Sequence, residues 1–376
     1  MKKTNYILFL FLFIATSLIS QIQLHNDEFE DSRSLVNWKN INIEEQWGIE
    51  QLEHYSIDDT IAGKLVMIPR TASWFGSYRG PFLFREVSGN FIVTTKVDAL
   101  GRDNIIPEGD FNLAGIMLRH VREYPDGALD PITGWTAADN NYIFLSIGAA
   151  GNHNSCPGCN PPNFEVKTTI NGNSQLRVAE VDTTSTLIRI ARIDNVFIVL
   201  YRLETDQIWV VHERYNRPDF PDTIQVGLVT YTDWTKVSDY NADVHNITQI
   251  EDAECDIGPD CDPDIVGEFE YIRFDSLNVS SGIGTNFFDE VDVTNAELLG
   301  FLDFNSEPFC PLSLNITNPV DSNEFRQIKT QEFVQISSIV SNIATLTLSS
   351  TDSIVLNPGF QINASAILEV KLTGCN

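Results

Sequence analysis

The sequence predicts an all-β protein: an antiparallel two-sheet β-sandwich followed by a second, smaller all-β domain. Three observations predict it. The stretch Leu187–Glu213, LIRIARIDNVFIVLYRLETDQIWVVHE, reads as three consecutive strands with nothing helical between them. Leu187–Arg192 alternates apolar and basic residues, Asp194-Asn195 supplies turn chemistry, Val196–Tyr201 is a β-branched and aromatic run, and Glu204–Gln207 is a second polar turn before Ile208–Val211. Apolar runs of strand length recur, with turn signals between them, from the N-terminal region to about Ser281. No stretch of a dozen residues carries a convincing helical period.

The N-terminus sets the expected compartment. Met1-Lys2-Lys3 is a short basic segment, Tyr6–Ile19 is apolar and rich in Phe, Leu and Ile, and Ser20-Gln21 is a plausible cleavage point. Residues 1–20 are therefore expected to be a signal peptide, too short in its apolar part to span a bilayer comfortably. No other segment is long and apolar enough to cross a membrane, so the mature chain is expected to be secreted or extracellular and not membrane-spanning. Removing Lys2 and Lys3 takes the formal charge from -28 to about −30. Such a surface repels nucleic acid and anionic lipid.

The strand-length runs include Lys64–Ile68, Pro81–Val87, Phe91–Val97, Leu113–Arg119, Tyr142–Ile147, Phe164–Ile170, Ile224–Tyr231 and Phe269–Phe274. In Phe91–Val97, residues Phe91, Val93, Thr95 and Val97 share one face, and Ile92, Thr94 and Lys96 the other. Leu113–Leu118 is apolar on both faces and should be a central strand. About a dozen strands at this spacing favour two packed sheets. The sandwich is expected over residues 21–281. Residues 282–309 mix Asn, Asp and Gly with short apolar patches and read as a linker. From residue 310 to 376 short β-type pieces return and form the small second domain.

Six cysteines in an exported chain suggest disulfides, and proximity groups them as Cys156 with Cys159, Cys255 with Cys261, and Cys310 with Cys375. His153-x-x-Cys156-x-x-Cys159 could instead supply zinc ligands or a redox pair. It lies in a Gly/Asn/Pro-rich loop with no helix N-terminus to lower a thiol pKa, so a loop-closing disulfide is the expectation.

Two family resemblances are carried by particular motifs. The segment GPFLFREVSGNFIVTTKVDAL followed by FNLAGIMLR resembles the concanavalin A-like lectin/glucanase jelly roll. So does Leu187–Glu213, through Arg189, Arg192, Asn195, Phe197, Tyr201 and Trp209, and so do the closing segments IQVGLVTYTDW and EFEYIRF. The resemblance covers roughly Phe29 to Val279. It implies the sandwich fold but not one activity, because lectins, glucanases, lyases and non-catalytic modules share it. It also implies a structural calcium held by a carboxylate of the closing strand, where Glu270 stands. The C-terminal stretch SIVLNPGFQINASAILEVKLTGC resembles a small C-terminal stacked-β module of secreted proteins from Bacteroidetes-type bacteria, which implies export to the outer surface and cell-surface association.

For chemistry the sequence offers less. Glu290-Val291-Asp292-Val293-Thr294 approaches the alternating carboxylates of a glucanase strand but has Thr at the last position and falls in the linker, so a solvated acidic segment is expected. Arg119, His120 and His212 could serve a lyase, yet nothing in sequence brings them together. The acidic stretch Asp239–Asp264 includes Asp256, Asp260 and Asp262. Hard oxygens of this kind suit calcium, against the blander reading of a solvated loop pinned by Cys255 and Cys261. Trp74 and Tyr78, Trp135, and Tyr231 and Trp234 lie beside small or polar residues and are candidates for stacking on sugar rings, whereas Trp38, Trp47 and Trp209 look like core. The leading expectation is a non-catalytic carbohydrate-binding or adhesive protein whose partner is a polysaccharide or glycan. The alternatives are a glycoside hydrolase or lyase of the same fold, and a structural surface protein without a small-molecule ligand.

Overall fold

A computed structural model describes residues 21–103, 105–120, 140–151, 153–250 and 264–375. The expected signal peptide, Trp135, Cys255, Cys261, Asp256, Asp260 and Asp262 lie outside the described residues. The sandwich strands are β1 (Lys39–Asn40), β2 (Leu52–Ile57), β3 (Leu65–Pro69), β4 (Phe82–Ser88), β5 (Phe91–Leu100), β6 (Asn112–His120) and β7 (Tyr142–Ala149), then β8 (Asn163–Ile170), β9 (Asn173–Glu180), β10 (Ser185–Ile193), β11 (Val196–Arg202), β12 (Val210–Asn216), β13 (Thr223–Tyr231) and β14 (Val266–Asp275).

They form two seven-stranded sheets. Sheet I has the order β1-β4-β13-β6-β7-β8-β9, and sheet II the order β12-β11-β10-β5-β14-β3-β2. Every pairing within them is antiparallel, as the expected fold class requires. The meander of Leu187–Glu213 is β10-β11-β12, and Asp194 closes its first hairpin with a left-handed φ of 53°. β6 lies between β13 and β7 in the middle of sheet I, which is why its residues are apolar on both faces.

Alternation along the strands builds the main core between the sheets. Phe91, Val93 and Val97 of β5 meet Ala114, Ile116 and Leu118 of β6, Ile143, Leu145 and Ile147 of β7, and Ile224, Val226 and Leu228 of β13. The opposite register of each strand faces outward, and both outer faces are covered. On sheet I, Phe82, Phe84, Met117, Tyr142, Phe144, Val229 and Tyr231 form a second cluster with Trp74 and Ile41.

On sheet II the cover comes from the stretch 282–309, which the sequence reading took for a linker. It contributes Val293, Leu298 and Leu302, all fully buried against Ile92, Ala191, Ile198, Leu200 and Trp209. Asn295–Leu302 is a helix, and Thr294 and Glu297 close its N-terminus with a reciprocal capping box. The Asn, Asp and Gly content that suggests a linker serves turns here: Asp292 accepts from the backbone N–H groups of Thr285 and Asn286. Asp292 therefore shapes a turn, as does Asp289, which accepts from the Val291 N–H.

The C-terminal region is a short three-sided parallel β-solenoid. Its strands are β15 (Ser313–Ile316), β16 (Phe325–Lys329), β17 (Phe333–Ile336), β18 (Ile339–Val340), β19 (Thr345–Ser349), β20 (Ser353–Leu356), β21 (Gln361–Ile362) and β22 (Ile367–Lys371). Parallel ladders β15-β17-β20, β16-β19-β22 and β18-β21 make the sides. Leu314, Val334 and Ile354 stack in register inside it, as do Ile328 and Leu348. Cys310 and Cys375 are joined across the solenoid, 65 residues apart in sequence. The solenoid meets the sandwich where Asn37 donates to the C=O of Phe325 (2.6 Å) and accepts from its N–H (3.0 Å), and where Arg33 pairs with Glu369 (2.7 Å). Among the described residues no helix is long and apolar enough to cross a membrane.

Candidate functional site

The outer face of sheet I holds two buried polar groups in an otherwise aromatic surface. In the first, Glu45 accepts from Arg119 and from Arg79, each at 2.5 Å, and Arg119 also donates to Gln225 (2.8 Å). Arg79 stacks on Trp47, its guanidinium carbon 3.8 Å from the ring centroid. Burial alone would push the Glu45 carboxyl up, but the charges and hydrogen bonds of Arg119 and Arg79 outweigh it and hold the group down at about 2. In the second, Glu165 and Lys167 of β8 project outward together because they are two residues apart on one strand. Their ion pair spans 2.8 Å, and the Tyr231 hydroxyl donates to the other carboxylate oxygen (2.5 Å). The Lys167 ammonium also donates to the Trp74 carbonyl (2.6 Å) and lies 4.7 Å from the Phe144 ring centroid. Burial lowers the Lys167 pKa against the pull of Glu165, and it pushes the Tyr231 phenol well up, with Glu165 adding to the rise.

Above Lys167 opens a pocket of about 170 Å³, lined by Ser73, Phe75, Phe111, His153, Leu176 and Trp234 as well as Lys167. Three segments bring Ser73, Phe75, Trp234 and His153 to it. Thr71–Gly80 folds over the sheet and supplies Ser73 and Phe75. The turn after β13 supplies Trp234: Asp233 adopts a left-handed φ of 48°, caps the short helix Trp234–Val237 by accepting from the Lys236 N–H, and is itself fixed by Asn112, which accepts from the Asp233 N–H (3.0 Å). Trp234 is then packed edge-on by Phe75 (5.0 Å between centroids) and Tyr78 (5.1 Å).

The third segment is the Cys156–Cys159 loop, closed by a disulfide with Cα atoms 5.5 Å apart. It holds His153 in one orientation. The Ser155 N–H donates to His153 Nδ1 (3.2 Å), and the Ser155 hydroxyl lies 2.8 Å from the same nitrogen while accepting from the Val178 N–H of β9 (2.8 Å). Among the described residues, no cluster of three His, Cys, Asp or Glu side chains could hold a metal ion.

The structure divides the sequence candidates. Trp234 and Tyr78 are half-buried and adjacent; Trp234 lines the pocket, and the Tyr78 hydroxyl donates to the Tyr240 carbonyl (2.7 Å). Trp74 and Tyr231 are fully buried and cannot present a stacking face. Trp74 packs edge-on to Tyr142 (5.3 Å), and its Nε1–H donates to the Pro81 carbonyl (3.1 Å). Its small polar neighbours allow close packing where the sequence reading took them for exposure: a Cβ on Gly80 would stand 2.9 Å from the Trp74 ring. One oxygen of the Glu270 carboxylate pairs with the Lys96 ammonium at 2.7 Å. Arg119 and His212 are not brought together as a lyase pair: Arg119 lies on the outer face of sheet I beside Glu45, whereas His212 packs against Phe164 and Tyr201. Sequence reading missed Lys167 and Glu165, although their i, i+2 spacing in FEVKTT puts both charges on one face. It also gave His153 no part in a ligand pocket.

The sequence matches no family model and no curated protein. Similar solved structures include a functionally unknown protein from Saccharomyces cerevisiae, 13% identical over 65% of this chain and 98% of that one, with a TM-score of 0.39. A legume lectin-like domain from Entamoeba histolytica is 9% identical over 69% of this chain and 100% of its own, with a TM-score of 0.39. A GH43 protein from Bacillus licheniformis is 11% identical, with a TM-score of 0.41, and the likeness covers 66% of this chain but 38% of that protein.

Proposed function

We propose that this is an exported, non-catalytic glycan-binding protein whose ligand sits in the aromatic pocket on sheet I. The observation that carries this reading is Trp234, held half-exposed by a left-handed Asp233 and buttressed by Phe75 and Tyr78 over a pocket with polar groups at its edge. A preorganised aromatic face beside a few hydrogen-bonding groups suits a sugar ring, whose C–H face stacks while its oxygens bond at the rim. Binding is favoured over hydrolysis by the state of the nearby carboxylates. Glycoside hydrolysis uses one carboxyl group as acid and a second as base or nucleophile. Glu45 is bound by two arginines, and Glu165 by Lys167 and Tyr231. Export is supported by the N-terminal apolar segment and by the two disulfides among the described residues. The test is a glycan-array screen of the mature protein with reducing-sugar release measured on every hit. The expected result is binding without release, lost in Trp234→Ala. Release of reducing ends by the parent would establish hydrolysis instead.

A further inference from the structure

Resting on that reading, we infer that the pocket selects an acetylated sugar, with the acetyl carbonyl accepting from His153 Nε2–H and the acetyl methyl seated among Phe75, Phe111, Leu176 and Trp234. The argument begins with a proton. His153 Nδ1 receives the Ser155 backbone N–H, and a backbone N–H can only donate, so Nδ1 is an acceptor and carries no proton. The Ser155 hydroxyl accepts from the Val178 N–H and has its own proton free to donate to the same Nδ1. The tautomer in which Nδ1 accepts carries its proton on Nε2, and His153 is one of the residues that line the pocket.

The remaining lining decides what that donor meets. Three aromatic rings and a leucine make most of the wall. Lys167 is the one cation among the described lining residues, and Glu165 matches its charge at 2.8 Å. A carboxylate or sulfate entering here would bring an unmatched charge against aromatic walls, which costs far more than burying a neutral group. An unmodified sugar edge would bring hydroxyl protons that must be donated. Among the described lining side chains only the Ser73 hydroxyl can accept them, since the Trp74 carbonyl is taken by Lys167. An acetyl group escapes both penalties. It is neutral, its carbonyl is an acceptor and its methyl is apolar; an O-acetyl has no proton to give, and an acetamido group has one N–H, which the Ser73 hydroxyl can accept. A volume of about 170 Å³ takes one substituted ring edge, well below the size of a pocket for a larger ligand.

The acetyl can come from an acetamido sugar or from an O-acetylated polysaccharide, and the experiment separates them. The mature protein is titrated with the methyl glycosides of N-acetylglucosamine, glucose and glucuronate, and with an O-acetylated xylo-oligosaccharide before and after deacetylation. Binding is read by calorimetry and by saturation transfer from the protein to the acetyl methyl. The expected result is at least tenfold tighter binding of one or both acetylated probes than of their unacetylated partners, with the difference removed in His153→Leu. His153 is in a surface loop, and an unchanged melting curve certifies that variant. Binding with no acetyl preference, or with a preference for glucuronate, overturns the acetyl assignment and leaves the glycan reading standing. If none of these probes binds and the glycan array is also blank, both fall. Independently of any ligand, a long-range proton–nitrogen correlation must show His153 protonated on Nε2 in the free protein; a proton on Nδ1 overturns the assignment.

Discussion

The guanidinium of Arg189 lies over the ring of Trp209, 4.1 Å from its centroid, with Phe304 at 4.2 Å. The same guanidinium donates to the carbonyls of Leu302 and Phe304 and to the Ser306 hydroxyl. Arg189 thus fastens the strap 293–306 to sheet II, and burial lowers its pKa to about 10 without discharging it at neutral pH. Arg189→Ala takes its donor from the buried Leu302 carbonyl, while the Phe304 carbonyl keeps the Trp209 Nε1–H and Ser306 keeps Thr94 and Asp275, and should cost about 1–3 kcal/mol. Chemical denaturation checks the magnitude. Hydrogen exchange over Asn295–Leu302 should rise with it; unchanged protection of that helix would show that the strap does not depend on Arg189.

Trp74 and Trp234 should respond oppositely to alanine. Trp74 is fully buried among Phe82 and Tyr142, so its removal opens a cavity and should cost about 3–5 kcal/mol of stability. Trp234 sits at the rim, so its removal should cost the fold about 1 kcal/mol and glycan binding about 1–3 kcal/mol. Melting and binding measured on both variants decide the matter. A Trp74→Ala protein that melts like the parent would contradict its burial.

Much of the sandwich was legible because its cause is local. A strand whose two faces meet different environments must alternate, and Phe91–Val97 does so, with Val93 in the main core and Ile92 under the strap. The strap was not legible as such. Its helix is eight residues long, too short to show a period beyond chance, although Thr294 and Glu297 spell its cap. β9 was missed because NSQLRVAE is an exposed edge with few apolar residues. The site was legible only in part. Local polarity around Trp74 and Trp234 is much the same, and their burial differs because Thr71–Gly80 turns Trp74 onto the sheet, a tertiary choice that neighbouring residues do not encode. His153, Lys167 and Trp234 are far apart in sequence, and only the order of sheet I brings them together.

Stability should fall as pH drops, in two windows. Burial depresses His245 from 6.5 to about 4, against its hydrogen bond to Asn246, and burial likewise takes His25 and His212 to about 4. The unfolded chain takes up these protons near 6.5 and the folded chain resists them, so the stability present above pH 6.5 is lost progressively down to about 4. For His245 alone the loss is about 3 kcal/mol at most. Glu45, held at about 2 against an ordinary 4.5, adds a second loss between those values as its pairs with Arg119 and Arg79 are broken by protonation. Denaturation curves at pH 7, 5.5 and 4 check the first window, and His245→Gln should flatten it. A parent equally stable at pH 7 and 4 would refute the linkage.

The two disulfides among the described residues should contribute unequally. The Cys310–Cys375 link spans 65 residues and ties the start of the solenoid to its end, whereas Cys156–Cys159 spans 3. Closing the longer loop removes far more freedom from the unfolded chain, about 4 kcal/mol against about 1.5 in the chain-entropy account. Replacing both cysteines of each pair by serine should therefore lower the melting temperature of the solenoid sharply in one variant and that of the sandwich slightly in the other. The short link has a different role. By fixing the turn in which the Cys156 N–H donates to the His153 carbonyl (2.9 Å), it holds His153 at the pocket in place. Loss of Cys156–Cys159 should weaken glycan binding while the melting curve hardly moves, and loss of Cys310–Cys375 should do the reverse. Equal effects of the two replacements on binding would separate the loop from the site.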